Sequence, residues 1–213
     1  GLGYVGLPLA VKLANGGFNV LGIDVNQERL TRLENNDLNE TELNIKKEFL
    51  HIREEKTLTF SGKPKKDEKP KIAFICVHTP IATKDIDSDT YVKNAIKQFI
   101  QTSKKGDVII IESSIGGGTT EKMQKLIQGY GYNVGEDFGL CFCPERIDPQ
   151  NKQWNLENIP RIIYCSDDTT YRIIQKLYQP INHANLHRVS SPKIAEVVKS
   201  YENAFRLVNI SLV

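Results

Sequence analysis

Gly1-Leu2-Gly3-Tyr4-Val5-Gly6 opens this 213-residue chain as a GxGxxG turn, and eighteen residues past its last glycine Asp24 closes the run Phe18-Asn19-Val20-Leu21-Gly22-Ile23-Asp24. The first glycine of such a turn permits a tight bend, the second lets the backbone approach a pyrophosphate, and the third lets helix and strand pack closely. The pyrophosphate then rests on the amide-rich, partly positive helix start. A carboxylate at the end of the next strand accepts hydrogen bonds from ribose hydroxyls, whereas a 2′-phosphate there meets like charge. The pairing of Gly1, Gly3 and Gly6 with Asp24 therefore points to NAD rather than NADP. By itself a glycine turn is only a turn; here a helical apolar pattern, a Gly16-Gly17 stop and a β-rich run connect it to the acid.

Three further segments carry chemistry where strands should stop. They are Cys76-Val77-His78-Thr79-Pro80, Glu112-Ser113-Ser114-Ile115-Gly116-Gly117-Gly118-Thr119-Thr120 and Cys143-Pro144-Glu145-Arg146-Ile147-Asp148-Pro149. In a doubly wound sheet, ligands gather at the carboxyl ends of the strands. Lys199 and Asn203 are i, i+4 neighbours on a long periodic segment, a pairing that an ordinary solvated helix face explains equally well.

The elements that must position these residues alternate. Val5, Leu9 and Leu13 with Ala10 and Ala14 mark a first helix, which follows a βαβ turn whose own leading strand is not in the chain. Asn26 caps a helix bearing Leu30 and Leu33, and a polar helix over 42–55 precedes a short strand at 57–60. Ile72 to Val77 is a continuous apolar run suited to a strand buried on both faces. Val92, Ala95, Ile96, Phe99 and Ile100 form a helix face, with Gly106 as its stop before a strand at 108–111. A helix from Thr120, a strand near 139–142, a strand at 161–164 and a helix face at Tyr171, Ile174, Leu177 and Tyr178 follow. The expected fold is α/β, a doubly wound, mostly parallel Rossmann-like sheet. From Pro192, with Ser190 or Ser191 as cap, Ile194, Val197, Val198, Tyr201, Phe205, Val208 and Leu212 form one apolar stripe of a long central helix. Its length suggests a homodimer core.

Composition bounds the rest. Apolar content of 39% and charged content of 25% fit a globular chain. A net charge of +2 argues against nucleic acid, and the lysines at 63, 65, 66, 69 and 71 are interrupted by Asp67 and Glu68, as in a solvated loop. No run is long enough to span a membrane, and no signal-peptide pattern is present. Both ends read as cut. Cys76, Cys141, Cys143 and Cys165 show no CxxC pair, which suits reduced thiols in a cytoplasmic setting, with Cys141 and Cys143 as small buried hydrophobes. His183 and His187 lie in a loop-like stretch, and no metal site is expected.

Taken together, Gly1 to Pro8, Gly22-Ile23-Asp24, Cys-Val-x-Thr-Pro, Glu-Ser-Ser with Gly-Thr-Thr, Cys-Pro-Glu-Arg-Ile-Asp-Pro and Glu196-Val197-Val198-Lys199-Ser200-Tyr201-Glu202-Asn203-Ala204-Phe205 resemble the UDP-glucose/GDP-mannose dehydrogenase family, across nearly the whole chain. The resemblance implies two NAD-dependent oxidations of a UDP-sugar C6 alcohol to the carboxylate, supplying polysaccharide precursors, through a cysteine-bound thiohemiacetal and thioester. It implies an NAD-binding domain over 1–189, the start of a central helical dimerisation domain over 190–213, and an absent C-terminal UDP-sugar-binding domain that carries the nucleophilic cysteine. It also implies that Lys199 and Asn203 stabilise the oxyanion, that Glu145 handles the proton or water of thioester hydrolysis, and that Ser114 stands near the nicotinamide. The cofactor set is then Gly1, Gly3, Tyr4, Val5, Gly6, Asp24, Arg29, Val77, Thr79, Pro80 and Ser114.

Within the family, Asn158-Ile159-Pro160-Arg161, Glu-Arg-Ile-Asp-Pro and the Lys199 helix look more like UDP-N-acetylglucosamine or UDP-N-acetylmannosamine dehydrogenases than UDP-glucose ones. Departures stand at Gly117, where a proline is usual, at Gln150, and at Tyr164-Cys165, where relatives carry a glycine pair. A β-hydroxyacid dehydrogenase shares the N-terminal domain but lacks the Cys-Pro-Glu-Arg segment, and a non-catalytic NAD-binding module would fit the departures.

Overall fold

The computed structural model describes residues 1–80, 82–83, 86–146, 157–182 and 186–212. Helix α1 (Gly6–Asn15) starts directly on the glycine turn and closes at Gly16, after which Gly17 takes φ 89° and returns the chain. That left-handed conformation suits glycine, which has no Cβ to clash. Strand β1 (Val20–Ile23) pairs in parallel with β2 (Leu58–Ser61). Between them lie α2 (Gln27–Glu34), whose Asn26 cap accepts from the Arg29 amide, a 3-10 turn (Glu40–Ile45) and α3 (Lys46–Glu54). The single polar helix expected over 42–55 is thus two pieces. Asn39 and Glu42 form a capping box that holds the first turn tight, and Glu42 is buried there.

A second sheet runs β3 (Ile72–Ile75), β4 (Val108–Ile111), β5 (Gly139–Phe142), β6 (Arg161–Cys165) and β7 (Leu186–Arg188), each hydrogen-bonded to the next. All its pairs are parallel except β5 with β6. Helices α4 (Thr90–Ile100), α5 (Thr119–Gly129) and α6 (Asp168–Tyr178) complete the layers, and α7 (Pro192–Ser211) follows. Val92, Ile96, Phe99 and Ile100 of α4 pack with Met123 and Ile127 of α5 on one face of this sheet. Leu9 and Leu13 of α1 pack with Ile174, Leu177 and Tyr178 of α6 on the other. A different side of α1, through Leu7, Ala10, Val11 and Ala14, joins Leu30, Leu33, Phe49 and Ile52 over the small sheet. Helix α1 therefore fastens both sheets, and each buried leucine contributes roughly 1.5–3 kcal/mol.

Two expectations need correction. Cys141 and Cys165 form a disulfide, because the antiparallel register of β5 and β6 sets them directly opposite with Cα atoms 4.2 Å apart. Strand direction is not written in a buried apolar run, so this pairing was invisible from spacing. Cys143 remains a buried thiol. His187 lies in β7 rather than a loop, while His183 falls outside the described residues. The α7 stripe faces away from the domain: Val197, Tyr201, Phe205, Val208 and Leu212 are all more than half exposed, and the buried residues of α7 are Pro192, Ala195 and Glu196. Ser191 is the cap, its side chain accepting from the Ile194 amide at 3.4 Å.

Candidate active site

Gly1 and Leu2 run between the carboxyl ends of the two sheets. A Cβ on Gly1 would strike the Cys76 carbonyl just past β3, and one on Gly6 would strike the Gly1 carbonyl. Glycine is required at both places for the turn to close. Gly3 is different, with nothing within 4 Å of where its Cβ would stand, and it is exposed beside Tyr4 at the start of α1. That helix has no side-chain cap on its amino end. Open space in front of uncapped amides is the arrangement that receives a phosphate. Asp24, just past β1, accepts from the Leu2 amide through Oδ2 at 2.7 Å and from the Asn26 amide through Oδ1 at 2.9 Å. A carboxylate has about four acceptor positions, so two remain for hydroxyls. Arg29 sits behind the turn: its Nε and Nη2 donate to the Leu2 carbonyl at 3.1 and 3.0 Å, and it pairs with Glu42. Its guanidinium braces the loop in this structure.

Past β3, the Val77 amide donates to the Ser113 hydroxyl at 2.9 Å, and that hydroxyl lies 2.8 Å from the Val77 carbonyl. The buried Ser113 therefore ties the Val77-His78-Thr79-Pro80 segment to the end of β4, while Ser114 beside it is exposed. Ser113 was missed by sequence reasoning, since adjacent serines in a run give no sign of which one points inward.

Helix α7 brings the charged residues. Lys199 donates from Nζ to the backbone carbonyl of Glu145, and Arg146 pairs with Glu202 one turn along α7. Glu145 is 8% exposed, and its amide donates to the Glu112 carbonyl at 3.2 Å. Burial lowers the Lys199 pKa below its ordinary value, opposed by the nearby charges of Glu145 and Glu202 and aided by those of Arg206 and Arg146. Asn203, a further turn along, is exposed. The sequence-predicted residues thus fall into two groups, the glycine turn with Asp24, and Glu145 with Lys199, while Val77 is tied to β4 through Ser113. Ile147, Asp148, Pro149 and Gln150 lie outside the described residues.

The NAD-binding domain model of the UDP-glucose/GDP-mannose dehydrogenase family matches residues 1–182. This chain belongs to that family. Among similar proteins, the UDP-N-acetyl-D-glucosamine 6-dehydrogenase of Salmonella typhi is 34% identical over all of this chain and 49% of its own length. The UDP-D-ManNAc dehydrogenase of Pyrococcus horikoshii superposes with a TM-score of 0.90 at 31% identity, covering all of this chain and 50% of that one. The UDP-N-acetyl-mannosamine dehydrogenase of Staphylococcus aureus gives 0.88 at 29% identity, with 100% and 52% covered. The chain spans about half the length of the curated relatives it matches.

As an NAD-binding domain of the UDP-glucose/GDP-mannose dehydrogenase family, the chain places its glycine turn, its uncapped α1 and Asp24 side by side at the end of β1. Beneath the strand ends, this family member carries a buried ionic platform. Arg161 pairs with Glu112 and donates to the Cys143 carbonyl at 2.9 Å, and the Tyr178 hydroxyl donates to Glu112. Burial pushes the Glu112 carboxyl up, against the opposing pull of Arg161. The platform fixes the start of the Cys143-Pro144-Glu145 segment. Burial also pushes the Cys76 and Cys143 thiols up to about 12, so neither is an activated nucleophile. Of the departures, Gly117 is exposed with room for a Cβ, and Tyr164 packs on the core while Cys165 joins the disulfide.

Proposed function

We propose that the full-length protein oxidises the C6 alcohol of UDP-N-acetylglucosamine or UDP-N-acetylmannosamine to the uronic acid, in two steps, as a precursor for polysaccharide. The observation that carries this reading is the placement of Lys199 on the Glu145 segment, across the strand ends from the Asp24 turn. Relatives named UDP-N-acetyl-D-glucosamine 6-dehydrogenase and UDP-N-acetyl-D-mannosamine dehydrogenase, each covered to about half by this chain, support the substrate class. NAD, when bound, accepts a hydride in each oxidation. Overall the alcohol carbon loses two hydrides and gains one oxygen from water, with the remaining protons released.

In this reading Asp24 holds the adenosine ribose, and Gly3, Tyr4, Val5 and Gly6 present amides to the pyrophosphate. Val77, Thr79 and Pro80 wall the coenzyme, with Arg29 bracing the turn. Ser114 faces the nicotinamide. The Lys199 ammonium and the Asn203 amide, one helical turn apart, converge on the oxygen that develops negative charge. Glu145 manages the proton of the hydrolytic water. The nucleophilic cysteine and the UDP-sugar-binding domain belong to the rest of the protein, with 1–189 as the coenzyme domain and 190–213 the start of a helical one. The exposed stripe of α7 seats a second copy, giving a homodimer, and the enzyme works in the cytoplasm. Among the described residues no helix is long and apolar enough to cross a membrane.

The test is stoichiometry. Incubating the full-length protein with each UDP-sugar and excess NAD should yield about two NADH per sugar consumed, as two successive two-electron oxidations require. A ratio of one with aldehyde released overturns the reading.

A further inference from the structure

Helix α5 is preceded by Gly118, which takes φ 82° and offers no side chain to cap the helix. The first amides of a helix have no partner inside it and must find one elsewhere. Here the partner comes from 76 to 78 residues away in sequence. Glu196 of α7 accepts from the Gly118 amide through Oε2 at 2.6 Å, and from the Thr120 amide and hydroxyl through Oε1 at 2.8 and 2.7 Å. Its residue is 0% exposed. A carboxylate taken fully out of water is tolerated only with such a set of donors, and the positive end of the α5 dipole adds to them.

The same contact touches both halves of the candidate site. Gly118 ends the loop that starts at Ser114, so the carboxylate pins that loop at its far end. Lys199 lies three residues after Glu196, on the same side of α7. Apart from Pro192 and Ala195 at its start, α7 buries no apolar residue against the domain. Its seating therefore depends on polar contacts: Glu196, Lys199 itself, the Arg146–Glu202 pair and the more exposed Lys193–Glu121 pair to α5. We propose that Glu196 is a positioning residue: by capping α5 from α7 it sets the height and rotation at which Lys199 meets the Glu145 segment. This rests on the role given to Lys199 above.

The test uses the full-length protein and five variants: E196Q, K199M, T120V, and K199M combined with each of the other two. The glutamine keeps the size of Glu196 but turns one acceptor into a donor that faces the α5 amides. E196Q should lower kcat on the order of 10- to 100-fold, the effect of misplacing a reacting group by about an ångström, while KM for NAD changes by less than about threefold. T120V, which leaves the charge in place and removes one of three donors, should lower kcat by a smaller factor in the same direction. Because Glu196 acts through Lys199, adding E196Q to K199M should cost less than about twofold more. Independent, additive losses would make Glu196 merely structural and overturn the inference, as would E196Q at the parental rate. Should E196Q fail to fold, T120V with and without K199M carries the same comparison, and a T120V loss that persists undiminished in K199M overturns it. Parental activity in K199M alone would instead defeat the role of Lys199, a separate failure.

Discussion

Helices α1 and α7 are both amphipathic, yet they meet this domain with opposite faces. Helix α1 turns Leu7, Leu9, Val11 and Leu13 inward and is fixed by apolar burial against both sheets. Helix α7 turns Glu196, Lys199 and Glu202 inward and leaves Val197, Tyr201, Phe205 and Val208 to solvent. Burial is non-directional and tolerates small rotations, whereas hydrogen bonds and ion pairs fix an angle. The helix that follows the glycine turn is therefore held mainly by packing. The helix that carries Lys199 is held mainly by directional polar contacts.

Several measurements would break or sharpen this contrast. The largest loss of stability should follow Leu13→Ala on α1, about 2–5 kcal/mol in chemical denaturation, from lost burial and the cavity left. A loss under about 1 kcal/mol would mean that α1 is not the fastening described. Lys199→Met in the full-length protein should cost less stability than Leu13→Ala and lower kcat by about 10²–10³-fold, the effect of removing one oxyanion donor. The ammonium exists below the lysine pKa, and burial moves that pKa below the ordinary 10.5. Activity should accordingly fall as pH rises through a value under 10.5, and Lys199→Arg should abolish that alkaline limb, since a guanidinium keeps its charge. Asp24→Ala should weaken NAD by about 1.5–3 kcal/mol in calorimetry and relax discrimination against NADP. Smallest of all, Val197→Ser on the outer stripe should change monomer stability by less than about 0.5 kcal/mol. Sedimentation of the same full-length variant should show a weakened dimer, and an unaltered dimer would remove Val197 from the contact.

Much of the coenzyme half was legible in the sequence. The GxGxxG spacing, the apolar repeat of α1 and the acid after β1 each have a local cause, and local causes show in one dimension. Glu145 and Lys199 were legible as motif positions, but their meeting is long-range and shows only in the fold. The Glu196 clamp was hidden for the same reason: an acid on a helix reads as solvated until its partners 76 residues away are placed beside it. Strand β7 is three residues long, too short for any periodicity to register. The stripe of α7 announced that the helix is amphipathic without saying which face this domain takes. The Cys141–Cys165 bond depended on the single antiparallel pair in the sheet, a direction that a buried run of Gly-Leu-Cys-Phe does not encode.

The two bonds that Asp24 makes with the backbone bear on what else could stand there. Both the Leu2 and the Asn26 amides point hydrogens at it, one at each oxygen. A carboxylate is the same from either side, whereas a carboxamide receives on one edge and gives on the other. An asparagine of identical outline would aim its own hydrogens at one of those amides, whichever way it flipped. A carboxylate at this position thus serves the protein's own loop before any ligand arrives, and replacing it would disturb the turn itself.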